Sequence, residues 1–128
     1  MRQEHMSAED MYKQALALEE DGDHSGAVSI YNKLIKLKED PRFHIAFGAC
    51  LQKLKHWEQS IAHLEKGIAL KPEYCEGDAR LLLAESYLNA GRKKNAIEQW
   101  KIVAEIEPEY PSYEEVPNEA KRLLAKHA

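Results

Sequence analysis

Histidine, cysteine and paired carboxylates are the side chains through which this chain could hold a metal or move a proton. Six histidines and two cysteines occur in 128 residues. His56 and His63 have His44 just upstream, but the pair spans a helix start. No Cys or carboxylate completes around them the four ligands a structural zinc normally takes. The histidines are therefore expected to be solvated or to cap helices locally, with no metal and no cofactor. Cys50 and Cys75 lack CxxC spacing. Cys50 falls within a helix where a small buried residue is wanted, and reads as a small hydrophobe. Glu114, Glu115 and Glu119, like Glu19, Glu20, Asp21 and Asp23, form acidic groups on exposed helix ends. Nothing there supplies the burial that tunes a catalytic acid. There is no Gly-rich phosphate loop, HExxH or EF-hand pattern, so no catalytic residue is assigned and the chain is not expected to be an enzyme.

Composition narrows the class further. Hydrophobic residues make up 44% and charged ones 31%, a globular balance. No run approaches the roughly 18 apolar residues of a spanning helix. The start, Met1 to Met6, carries acid and His where a secretory signal places an apolar core, so a cytoplasmic location without membrane attachment is expected. The net charge of −4 is small and the cations are dispersed, which argues against nucleic acid. Arg92-Lys93-Lys94 is a short basic run at a helix start.

The elements that position these side chains repeat. Gly22, Ala27, Tyr31, Leu37 and Glu39 are followed by Lys55, Ser60, Leu64, Leu70 and Pro72, then by Gly91, Ala96, Trp100, Ile106 and Pro108. The turn positions Gly22, Lys55 and Gly91 are 33 and then 36 residues apart, the mark of a helix-turn-helix repeat of about 34. Ser7 with Asp10 signals the first helix start, running to about Glu20, and Asp40-Pro41 signals the third. Apolar spacing places the others at about Ser25–Lys38, Trp57–Leu70, a fifth ending near Ala90, and Lys94–Glu107. The segment Glu73 to Gly77 accounts for the longer second period, as a longer loop or an early fifth helix. After a break bracketed by Pro108 and Pro111, Val116, Ala120, Leu123, Leu124 and His127 line one face of a last helix. It is expected to cover the apolar flank of the third repeat.

Over about residues 8 to 110 the chain resembles the tetratricopeptide repeat family. Ala15, Gly48 and Ala84 match the family's small positions in the first helices, and Ala27, Ser60 and Ala96 those in the second. Leu18, Leu51, Tyr87, Tyr31, Leu64 and Trp100 match its large packing positions. The resemblance implies an all-α, right-handed superhelical stack of three helical hairpins with a C-terminal capping helix. As one domain over 1–128, the repeats fall at about 8–40, 41–74 and 77–110 and the cap at about 112–127. Two positions depart from the pattern: Lys55 replaces the turn Gly, and Gln14 stands where Leu is preferred. Trp57 opens a second helix where the family often has Tyr.

In this family the first helices line a concave groove that takes partner peptides. Carried over, that groove comprises Glu9, Tyr12, Leu16, Glu19 and Glu20; then Arg42, Ile45, Ala49, Gln52 and Lys53; then Asp78, Leu81, Glu85, Leu88 and Asn89. Its middle is apolar and its border charged, the composition of a recognition surface. Family members that grip chaperone tails do so with Lys, Asn and Arg, where this chain has Tyr12, Leu16, Ala46, Asp78 and Leu82. Hsp70 and Hsp90 carboxylate tails are therefore not expected partners. The stretch from Asp40 to Cys50 is also similar to the middle repeat of chaperones that hold translocator proteins of type III secretion. That match covers little more than one helix, and their long N-terminal dimerisation helix is not expected here. The expected function is an adaptor or scaffold that binds a partly apolar partner segment in the groove. The alternatives are a self-associating structural module, forming homo-oligomers, and a chaperone for a secreted protein.

Overall fold

The computed structural model describes residues 6–107 and 114–128. Seven helices occur among them, without a strand: α1 Ala8–Glu20, α2 His24–Leu37, α3 Pro41–Lys53, α4 Trp57–Ala69, α5 Glu76–Asn89, α6 Lys93–Ala104 and α7 Glu115–His127. Each odd-even pair up to α6 packs as an antiparallel hairpin, and successive hairpins stack. Helix starts follow local chemistry. The Ser7 hydroxyl accepts from the Asp10 N–H at 3.1 Å, and the Asp23 carboxylate from the Gly26 N–H at 2.9 Å. Asp40 accepts from the Arg42 N–H at 2.9 Å while Pro41 supplies the preset first helical residue.

The three hairpin turns share a left-handed residue, Gly22 at φ 84°, Lys55 at φ 63° and Gly91 at φ 80°. Lys55 adopts that conformation without glycine's freedom, at a cost of about 1 kcal/mol. The longer second period comes from the loop: residues 70–75 separate α4 from α5, whereas residues 38–40 separate α2 from α3. Two further left-handed residues, Lys71 and Cys75, turn that loop. Helix α6 stops at Ala104, short of the expected Glu107, because the Glu105 and Ile106 N–H groups bond three residues back and tighten the last turn. Pro108 and Pro111, and the expected start of the cap at 112, lie outside the described residues.

Small residues set the helix crossings. Ala15, Ala27, Ser60, Ala84 and Ala96 are fully buried. At Gly48 an added Cβ would lie 2.6 Å from Leu64 Cγ and 3.2 Å from the Ser60 carbonyl oxygen, so α3 and α4 approach too closely for a methyl group. Large side chains fill the space between. Tyr31, Leu34, Phe43, Phe47 and Leu51 form one core around α1 to α3. Leu64, Leu83, Tyr87, Trp100, Val103 and Ala120 form a second that reaches α7. Burying each such side chain contributes about 1.5–3 kcal/mol. Helix α7 covers the open flank with Ala120 fully buried, with Val116, Leu123 and Leu124 packed beside it, and with the His127 ring centred 5.2 Å from that of Trp100.

Candidate functional site

The N-terminus of α3 ties the first two hairpins together. Asp40, already holding the Arg42 N–H, also pairs with the guanidinium at 2.8 Å, and Arg42 reaches across to donate to Glu9 on α1. The guanidinium sits 5.4 Å from the centre of the Tyr12 ring and 5.3 Å from that of Phe43. Hydrogen bonds from Arg42 hold the Glu9 and Asp40 carboxyls below their usual range and raise Arg42 above its own. Glu9, Tyr12 and Arg42 thus form one fixed patch joining the first two hairpins.

Beside it opens a depression of about 940 Å³. Tyr12, Ile45, Ala46, Ala49 and Leu70 give it apolar walls, while Glu39, Asp40, Arg42, Lys71 and Glu73 supply charge. The loop residues Pro72, Tyr74 and Cys75 close one side, with Tyr74 75% exposed. A second depression of about 540 Å³ lies between α5 and α7, lined by Asp78, Leu81, Leu82, Glu85, Leu88, Trp100, Glu119, Arg122 and Leu123. Of the expected groove residues, Tyr12, Arg42, Ile45 and Ala49 line the first hollow and Asp78, Leu81, Glu85 and Leu88 the second. Leu16, 40% exposed, and the exposed Lys53 and Glu20 stand outside both. Asn89 turns back to donate to the Glu85 carbonyl at 2.8 Å.

Two of the expected groove residues point inward. Gln52 is buried and donates from Nε2 to the Leu82 carbonyl at 2.7 Å and to Ser86 Oγ at 2.8 Å. The chain of bonds continues from Ser86 to Ser60 at 2.8 Å, and from the Ser60 hydroxyl to the Gly48 carbonyl at 2.8 Å. With Gln52 donating first, every hydroxyl in that line gives one proton and receives one. Gln52 thus ties α3 to α5 through the core and offers nothing to a partner. Glu19 has a side chain only 10% exposed and accepts from the Tyr31 hydroxyl. Its carboxylate faces the hairpin interior.

Two of the histidines depart from expectation. His56 is exposed, as a solvated histidine should be, and makes no side-chain cap. His44 is buried, with its Nδ1 3.3 Å from His63 Nδ1 and its Nε2 3.3 Å from Glu39 Oε1. A neutral pair satisfies both contacts when His44 Nε2–H donates to Glu39 and His63 Nδ1–H donates to His44. The His63 ring also packs 4.3 Å from that of Phe47, and burial, with His44 beside it, holds its pKa below the ordinary value. Arg92, from the basic run, is engaged by Glu58 at 3.0 Å and lies over Tyr87, whose phenol donates to Glu65 and is pushed up to about 12, chiefly by burial. Glu119 pairs with Arg122, whose hydrogen bonds lower its carboxyl from the usual value, the opposite of a tuned acid.

Known proteins place this architecture. Residues 1–67 match the family model of anaphase-promoting complex, cyclosome, subunit 3, and residues 78–110 match a tetratricopeptide repeat model. The chain belongs to the tetratricopeptide repeat family. It is 31% identical over 97 residues, 70% of its own length, to the mitochondrial import receptor subunit TOM70 of Saccharomyces cerevisiae, and spans 15% of that protein. Its fold is similar to that of SycD, the type III secretion translocator chaperone of Yersinia enterocolitica. That likeness has a TM-score of 0.80 at 22% identity and covers 93% of this chain and 88% of the other. PcrH from Pseudomonas aeruginosa gives a TM-score of 0.81 at 21% identity, over 98% and 93%. A PcrH structure in complex with the chaperone binding region of PopD gives 0.84 at 22%, over 95% and 93%. No described helix is long and apolar enough to cross a membrane.

Proposed function

We propose that this chain is a protein-binding adaptor, without catalytic function, that takes an apolar segment of another protein on its concave face. The observation that carries this reading is the depression of about 940 Å³, whose apolar wall is framed by charges. Its shape and composition suit side chains that insert between α1, α3 and the loop at 70–75, with rim charges setting register. Tyr12, Arg42, Ile45 and Ala49 carry the contact, and Asp78, Leu81, Glu85 and Leu88 extend it along the second hollow. On this reading the three hairpins and the cap act as one binding domain in the cytoplasm. The structural relatives support a segment as the ligand: SycD is known in complex with a peptide of the translocator YopD, and PcrH with the chaperone binding regions of PopD and PopB. A chaperone for a secreted protein is the more specific form of the same reading.

The test compares wild type with Ala49→Glu/Leu81→Glu as baits in a source-cell lysate, with each bait's mass measured by light scattering and its fold by circular dichroism. Both substitutions place a carboxylate in a hollow at a partly buried position. A protein retained by wild type and lost by the folded variant supports the groove. Equal recovery by both, with a dimeric wild-type bait, would move function to another face and make self-association the leading reading.

A further inference from the structure

Three side chains from three helices converge where the first hairpin turn meets α3. Glu19 lies in the last turn of α1, His24 opens α2, and Cys50 lies in the last turn of α3. One carboxylate oxygen, one imidazole nitrogen and the thiol sulfur lie within 4.8 Å of one another. The site is sheltered: Cys50 is fully buried, and the side chains of Glu19 and His24 are 10% and 25% exposed. His24 Nδ1 is itself buried and has no hydrogen-bond partner among the described residues; the nearest carboxylate oxygen, Glu19 Oε1, is 3.7 Å away. A buried nitrogen in that position calls for a partner, because leaving it unsatisfied is unfavourable.

We propose that Glu19, His24 and Cys50 bind a divalent metal of borderline softness, with Zn²⁺ the best fit. The donor set of one thiolate, one imidazole and one carboxylate is drawn wholly from the types zinc prefers. Ligand bonds of about 2.0–2.3 Å place tetrahedral donors about 3.3–3.7 Å apart, so the most separated pair needs to close by no more than about 1.5 Å. Rotation about the Glu19 and His24 side-chain bonds supplies that movement, because both lie at helix ends beside the turn. On binding, the Cys50 S–H bond breaks, the sulfur keeps the electron pair for the metal, and the proton leaves to solvent. The thiol gives up its bond to the His24 carbonyl, now 3.4 Å long. Two anionic ligands and a dication sum to zero charge, which suits a sheltered site.

The surroundings fit a supporting shell. The Tyr31 hydroxyl donates to the Glu19 oxygen that faces away from His24, which orients the carboxylate. Lys53 reaches the other oxygen at 3.8 Å from an exposed position and is free to swing away when a cation arrives. The fourth zinc position is left to water or to a partner's side chain. Bound there, the metal fastens the first hairpin to the second.

Titration of the reduced, chelator-treated protein with Co²⁺ and Zn²⁺ tests the site. The expected result is a sulfur-to-cobalt charge-transfer band that saturates at one equivalent, is displaced by Zn²⁺, and is abolished in Cys50→Ala. His24→Gln and Glu19→Gln, which keep the buried thiol, should weaken Co²⁺ binding at least about tenfold. Cys75→Ser and His63→Gln should leave it unchanged. Zn²⁺ in hundredfold excess over its dissociation constant should raise the thermal midpoint of wild type by several degrees, and that of His24→Gln by much less. Absence of the band at millimolar Co²⁺ would overturn the site. So would a band that disappears in Cys75→Ser or persists undiminished in both His24→Gln and Glu19→Gln.

Discussion

Gly48→Ala tests the helix crossing on which the whole stack depends, because two effects of opposite sign compete there. Alanine in a helix interior is favoured over glycine by about 1 kcal/mol, so an uncrowded site would gain stability. At Gly48 the new methyl would lie 2.6 Å from Leu64 Cγ, 2.9 Å from Leu64 Cδ2 and 3.2 Å from the Ser60 carbonyl oxygen. Leu64 is fully buried and its Cγ is not a free chain end, while the Ser60 carbonyl is part of the α4 backbone and cannot rotate aside. Relief therefore means sliding α3 against α4, an overpacking cost of about 1–3 kcal/mol. The net expectation is a loss of about 0–2 kcal/mol, centred near 1, which lowers the thermal midpoint by about 3–6 °C for a domain of this size. Leu64→Ala alone should cost about 2–5 kcal/mol. In the Gly48→Ala background it should cost less, by about 1 kcal/mol of coupling, because the obstructing atoms are gone. Thermal and urea unfolding of the four proteins in the cycle would supply these values. A Gly48→Ala protein more stable than wild type by about 1 kcal/mol, with no coupling to Leu64, would refute the close crossing.

Other consequences are equally open to measurement. Ser86→Ala removes the link between Gln52 and Ser60 and should cost about 1–3 kcal/mol by urea unfolding, whereas a change below about 0.5 kcal/mol would show that the buried line of hydroxyls is not coupled. The pKa of His63 is depressed in the folded chain, so its contribution to stability is fully present above the unfolded value of about 6.5 and is lost as pH falls through the folded value. Wild type should therefore lose stability on going from pH 7 to pH 5 more steeply than His63→Gln; superimposable pH profiles would remove that histidine from the account.

The stack was legible in the sequence because repeat architecture writes the same packing demand three times. Ala27, Ser60 and Ala96 stand in register, and a small residue recurring at one turn offset has few explanations besides close helix contact. The cap was legible for the same reason, since Val116, Ala120, Leu123 and Leu124 needed an apolar face to cover. What register could not convey was side-chain direction. Gln52 occupies a groove-side position, yet its amide turns in because Ser86 and the Leu82 carbonyl lie within reach, thirty or more residues along the chain. Glu19 likewise turns inward to Tyr31 across the hairpin. His44 and His63 meet only because α3 and α4 lie face to face, so no local spacing announces them. His24 carries no local signal because its neighbours Glu19 and Cys50 are assembled by the stacking itself.

The central claim is that the hollow at Tyr12, Ile45 and Ala49 binds an apolar protein segment, and equilibrium titration of selected linear peptides tests it most directly. Peptides would be selected from a displayed library on wild type and then measured against wild type, Ala49→Glu and a control outside both hollows, Lys36→Glu on α2. Peptides rich in apolar residues are expected, bound at least about tenfold more weakly by Ala49→Glu, a loss of about 1.4 kcal/mol or more, and equally well by the control. Peptides that bind Ala49→Glu as tightly as wild type, or a selection that yields none, would contradict it.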